Sequence, residues 1–180
     1  MRQNNWFDPF FVLENLSPED KLIKKNVEDF SNKVLRPIVV KDNRNHYFDI
    51  NIYKEFGNLG LLGSTIKGYG GAGASNLTYG LIAYEIEKVD SSYRSSISVQ
   101  SSLVIHPINS FGSESQKDKY LPNLISGKKI GCFGLTESEA GSDPSSMKTT
   151  YKKSQNGYVL NGCKNWITNE IGRASCRERV

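Results

Sequence analysis

The chain has 180 residues, 37% of them hydrophobic, enough to bury one core and part of a second. Its formal charge of +4 falls to +2 once the last ten residues are set aside, because Arg173, Arg177 and Arg179 outweigh Glu178 there; elsewhere lysines alternate with acids, which excludes the cation density needed to track a phosphate backbone. Cys132, Cys163 and Cys176 have neither CxxC nor metal-ligand spacing and His46 and His106 stand apart, excluding a disulfide framework or a zinc site, while no apolar run nears the roughly 18 residues of a membrane span.

From the N-terminus onward the pattern is helical. No apolar signal core or Arg-rich leader follows Met1, so the expectation is a soluble intracellular protein, cytoplasmic in a bacterium or of the mitochondrial matrix in a eukaryote. Ser17-Pro18-Glu19-Asp20 is a helix start, with a hydroxyl cap, a first-turn proline and acids against the macrodipole. Ile23, Val27, Phe30 and Val34 then share one face, and Pro37 is expected to end the run near Leu35. A shorter helix is expected over 50–59, with Gly60 as its C-cap.

Gly68-Tyr-Gly-Gly-Ala-Gly73, with Asp90 downstream, fits the dinucleotide fingerprint G-x-G-x-x-G. That fingerprint needs a βαβ unit, and the preceding pattern is helical, so the glycines are read as a tight loop between helices. Ser75 caps the next helix, which carries Leu77, Leu81, Ile82, Ile86 and Val89. A fourth helix, over 92–109, is rich in serine, a mediocre helix former, which suggests close packing against helices or a ligand. Ser113-x-x-Gln116 is a capping box opening a fifth helix that Gly127 closes and Pro122 bends or shortens.

After Gly127 the period becomes strand-like. Strands are expected over 130–135, 151–153 and 158–160, with turns at 155–157 and 161–162. Helices followed by antiparallel strands give an α+β fold, with a boundary near Lys129: a helical domain over 1–129, then the beginning of a β domain over 130–169. Thr136 to Ser146 adds hydroxyls, carboxylates, a glycine and a proline, a composition shared by binding loops and ordinary turns. On the fourth helix Arg94 and Ser98 lie four residues apart, suited to receiving a planar anion together; the spacing equally allows a surface ion pair of Arg94 with Asp90.

Two stretches carry a resemblance. Gly134-Leu-Thr-Glu-Ser-Glu-Ala-Gly-Ser-Asp143, followed by Lys164-Asn-Trp-Ile-Thr-Asn169, is similar to the paired flavin-binding segments of the acyl-CoA dehydrogenases. Ile66-Lys-Gly-Tyr-Gly70, Val89-Asp-Ser-Ser-Tyr-Arg-Ser95, Ser98-Val-Gln-Ser-Ser102 and Cys132-Phe-Gly-Leu-Thr-Glu137 resemble the glutaryl-CoA dehydrogenase branch of that family, and the likeness runs from Trp6 to Asn169. It departs at Ser138-Glu139, where the family usually has proline and a small or polar residue.

The resemblance implies FAD held by Phe133, Leu135, Thr136, Ser142, Trp166, Ile167 and Thr168, and an acyl-CoA held by Arg94, Ser95, Ser98 and Ser142, with Arg94 on the distal carboxylate of glutaryl-CoA. It implies oxidative decarboxylation to crotonyl-CoA in lysine and tryptophan degradation, electrons passing to an electron-transfer flavoprotein, and a homotetramer when complete. No residue here matches the family's glutamate base, which lies in a C-terminal helical domain; Glu137, Glu139 and Asp143 are not substitutes. The chain is therefore expected to be an incomplete enzyme, with residues 170–180 an adapter-derived tail, since Ile171 to Val180 read like a translated sequencing adapter. A short- or branched-chain acyl-CoA dehydrogenase, or a helical protein that only binds acyl-CoA, are the alternatives.

Overall fold

A computed structural model describes residues 8–155 and 157–170; the expectation for Ile171–Val180 lies outside them. Helix α1 (Pro18–Phe30) opens where the sequence signals it, the Ser17 hydroxyl accepting from Asp20 N–H at 3.0 Å. It does not end at Pro37. The chain passes through a π-helical turn (Ser31–Leu35) into α2 (Arg36–Arg44). Proline lacks an N–H and its ring crowds the carbonyl four residues back; in the widened turn Arg36 N–H already reaches Ser31 O instead, so the ladder changes register where the ring must fit. The same device recurs in the fourth helix, where α5 (Ser91–Ser98), a π-helical stretch (Val99–Ile105) and α6 (His106–Phe111) run on continuously with Pro107 just past the wide turn.

Helix α3 (Ile52–Asn58) and the two-residue strands β1 (Lys67–Gly68) and β2 (Gly71–Ala72) precede α4 (Asn76–Glu87). The strands pair antiparallel across Tyr69 and Gly70, both at positive φ, so the glycine cluster is a hairpin between helices, as the sequence suggested. Helix α7 (Glu114–Ile125) has the expected reciprocal capping box and runs on past Pro122. Strands β3 (Thr150–Ser154) and β4 (Gly157–Asn161) pair Tyr151 with Leu160 and Lys153 with Tyr158. The expected strand over 130–135 is not formed: the segment has no ladder among the described residues, because a strand needs a neighbour to take its backbone groups.

The core sits among α1, α3, α4, α5 and α7 around Leu35, Tyr53, Phe56, Leu62, Ile86, Ile97, Ile105 and Leu121, all fully buried. Glu85, also buried, receives Lys24 and Lys88, each at 2.8 Å, so its charge is paired inside the fold. At the end of α7, Gly127 has φ +68, and a Cβ there would meet Tyr53 O at 1.9 Å, so only glycine lets the chain turn this close to α3. No helix among the described residues is long and apolar enough to cross a membrane.

Candidate functional site

The stretch beginning at Gly131 is fastened to the helices at its first residue. Gln100, fully buried in the π-helical stretch, donates through Nε2 to Leu124 O and Lys129 O, both at 2.9 Å, and accepts Gly131 N–H at 3.0 Å. From the other side Asn169 Nδ2 donates to Gly131 O at 3.3 Å, while Asn169 Oδ1 accepts the Tyr53 hydroxyl at 3.1 Å. Gly131 lies so near α5's continuation that a Cβ would meet Val104 Cγ1 at 2.4 Å. Gly131, just ahead of the first motif segment, and Asn169, the end of the second, are thus tied to one another and to the helical layer.

Further along, Glu137 gathers the two motif segments. It is 8% exposed, accepts Lys148 N–H at 2.6 Å on Oε2 and Thr149 N–H at 3.0 Å on Oε1, and receives the Thr149 hydroxyl and the Lys164 ammonium at 2.8 Å on Oε1. The Lys164 bond, then the Thr149 hydroxyl, holds its carboxyl down at about 2. Beside this centre Lys164 Nζ donates to Leu135 O at 2.9 Å and Asn165 N–H to Thr136 O at 2.8 Å. The chain then turns left-handed at Trp166 (φ +59), whose indole is 93% exposed. Glu139, where the motif departs from its usual form, pairs on the surface with Lys148.

Among the residues the sequence nominated, Arg94, Ser95 and Thr168 meet in one open cleft of about 540 Å³, shared with Phe48, Ser96 and Asn169. Ser98 is not in that lining; its hydroxyl accepts from the Tyr79 hydroxyl at 3.3 Å. Phe133, Leu135, Ser142 and Trp166 are exposed outside the cleft, Thr136 and Ile167 half-buried. Arg94 does not pair with Asp90, which caps α5 by accepting Ser92 N–H at 2.7 Å. Its Nε donates to Glu87 at 2.5 Å instead. Bonds from the Ser91 hydroxyl and then Arg94 hold the Glu87 carboxyl below its usual value. Sequence spacing missed this pair because the helix breaks between the two residues, and it missed Glu137, whose only signal was an acid placed three residues after a glycine in the motif.

Cys132 is half-buried and Cys163 exposed, while Cys176 lies outside the described residues. No group of three histidine, cysteine or carboxylate side chains among the described residues is placed to hold a metal ion. What the site offers is a flat exposed indole, two apolar side chains and threonine hydroxyls on two cross-linked segments, beside a cleft containing a guanidinium. The first set has the chemistry to meet a planar aromatic ring with polar edges.

The acyl-CoA dehydrogenase N-terminal domain matches residues 17–128 and the middle domain of the same enzymes residues 132–171. The chain belongs to the acyl-CoA dehydrogenase family. An acyl-CoA dehydrogenase of Bacillus subtilis (strain 168) is 38% identical over 156 residues, 86% of this chain and 41% of that protein. A mitochondrial isovaleryl-CoA dehydrogenase of Bos taurus is 40% identical over 161 residues, 88% of this chain and 38% of that protein. Among solved structures, a glutaryl-CoA dehydrogenase from Mycobacterium smegmatis in complex with FADH2 superposes with a TM-score of 0.87 at 42% identity, covering 89% of this chain and 42% of that one. The chain therefore has the acyl-CoA dehydrogenase fold through its mostly helical N-terminal part and a few short antiparallel strands, and spans about two-fifths of the length of the relatives it matches.

Proposed function

We propose that the protein to which this chain belongs is an FAD-dependent acyl-CoA dehydrogenase that acts on glutaryl-CoA, oxidising and decarboxylating it to crotonyl-CoA and passing electrons to an electron-transfer flavoprotein. The observation that carries the substrate choice is Arg94: a guanidinium lining an open cleft with Ser95 and Thr168, the chemistry that receives a carboxylate at the far end of an acyl chain. The FAD reading is supported by the exposed Trp166, Phe133 and Leu135 and the hydroxyls of Thr136 and Thr168, residue types suited to a planar ring with polar edges on segments that are tied together. When bound, FAD supplies the hydride acceptor. The chain's own part is to present donors to the ring's edge, wall off one face with the indole, and orient the acyl-CoA through Ser95 in the cleft and Ser142 on the motif segment. The α proton goes to a glutamate base, and the enzyme is a homotetramer.

A second reading, a short- or branched-chain acyl-CoA dehydrogenase, is favoured by Glu87, which already occupies one edge of Arg94. Steady-state kinetics of the full-length enzyme with Arg94→Ala decides between them. Loss of a charge-assisted contact worth roughly 1.5–3 kcal/mol lowers kcat/KM for glutaryl-CoA about 10- to 150-fold. Butyryl-CoA has no distal carboxylate and is affected far less. Equal losses on both substrates overturn the glutaryl-CoA assignment and return Arg94 to a structural ion pair with Glu87.

A further inference from the structure

Glu137 and Lys164 come from separate segments, yet they bond to each other, and Lys164 also to the backbone that carries Leu135, assigned above to the flavin, while Glu137 takes the backbone N–H groups of Lys148 and Thr149. Lys164 runs its stem past Gly134, where a Cβ would lie 3.5 Å from Lys164 Cγ, and delivers its ammonium both to Glu137 and to Leu135 O. One residue on, Asn165 N–H holds Thr136 O. Glu137 meanwhile accepts four hydrogen bonds, three on Oε1 from Thr149 N–H, the Thr149 hydroxyl and the Lys164 ammonium and one on Oε2 from Lys148 N–H. Bonds on both oxygens hold the carboxylate against rotation toward a ligand, and the lysine carries its charge inward, 24% exposed.

We propose that Glu137 and Lys164 are a positioning pair that fixes the relative height and separation of Thr136 and Thr168, and so sets the geometry of the flavin site without touching the flavin. The inference rests on the FAD reading given above. A partly buried ion pair held by several further hydrogen bonds is suited to this, because removing one partner strands the other and lets the two segments slip, whereas a change at a solvated surface pair does little. Among the described residues, the other bonds between the segments around 135 and 164, Asn165 N–H to Thr136 O and the contact of the Asn165 and Ser138 side chains, involve neutral groups, so the charged link at this junction is the pair.

The test is a double-mutant cycle in the full-length protein with Glu137→Gln, Lys164→Met and both together, reading FAD affinity of the apoprotein by flavin fluorescence and the reduction potential of the flavin at saturating FAD. Far-UV circular dichroism and Tm are followed alongside. Each single variant is expected to weaken FAD binding roughly 10- to 100-fold and to shift the potential, the double variant is expected to be no worse than the poorer single, and Lys164→Arg is expected to restore most of the affinity. Should Glu137→Gln fail to fold, Thr149→Val, which removes only one hydroxyl bond to the carboxylate, paired with Lys164→Met carries the same cycle. Affinities within twofold of the parent, losses that multiply independently in the double variant, or a potential unchanged while only Tm falls overturn the pair. Failure of the unaltered full-length protein to take up FAD is a different result, and it overturns the flavin reading and the pair with it.

Discussion

At the scale of single residues, the acids and bases of the motif region do separate jobs that composition alone does not separate. Glu139 is a solvated partner for Lys148, and Asp143 accepts Ser145 N–H to start a short 3₁₀ turn (Pro144–Ser146), while Glu137 is enclosed. Its carboxyl is held at about 2 in the fold against an ordinary value of 4.5, so between those pH values folding releases its proton. That stabilisation is complete above pH 4.5 and is lost as the pH falls toward 2. In urea titrations of the full-length protein, Glu137→Gln should lower stability at pH 6, and the gap to the parent should narrow steadily between pH 4.5 and 2. A gap independent of pH would show that the carboxylate's charge is not what the surrounding donors recognise.

Among the elements, much was legible in the sequence and the gaps have physical causes. Caps were readable because a hydroxyl followed by an acid or amide states its own geometry: Ser17, Ser75 and Ser113 all accept from the residue three ahead. Replacing Ser113 by alanine should therefore cost about 0.5–2 kcal/mol, measured as a shift in the denaturation midpoint, since it removes one half of a reciprocal capping box. Pro37 was read as a stop because an α-helical ladder cannot accept it, and the π-helical turn that does accept it leaves no compositional mark. The apolar run over 130–135 has strand character without strand structure, since pairing is decided by a neighbour and not by the run itself. In the site, Arg94 and Thr168 share a cleft across 74 positions of chain, something resemblance could suggest and spacing could not.

At the scale of the whole molecule the two parts are unequal. The helical part buries a continuous core, whereas β3 and β4 form a two-stranded sheet with Tyr151, Tyr158, Val159 and Leu160 exposed, an arrangement marginal in water by itself. Expressed alone, the 180-residue chain should purify without stoichiometric FAD, and its amides beyond Lys129 should exchange with deuterium far faster than those of α4 and α5. A yellow protein with flavin absorbance near one equivalent, or uniform protection, would contradict this. The π-helical stretch between α5 and α6 has a bearing on how such a chain can change over time. Each residue of a helix turns the next by about 100°, so the stretch sets the phase between the face bearing Arg94 and the face bearing Ile108. Deleting one residue from Val99–Ile105 would let the stretch relax to the ordinary α-helical pitch, one residue fewer at a larger turn per residue leaving those two faces in nearly the same phase, whereas the same deletion within α5 would swing the face bearing Arg94 by about 100°.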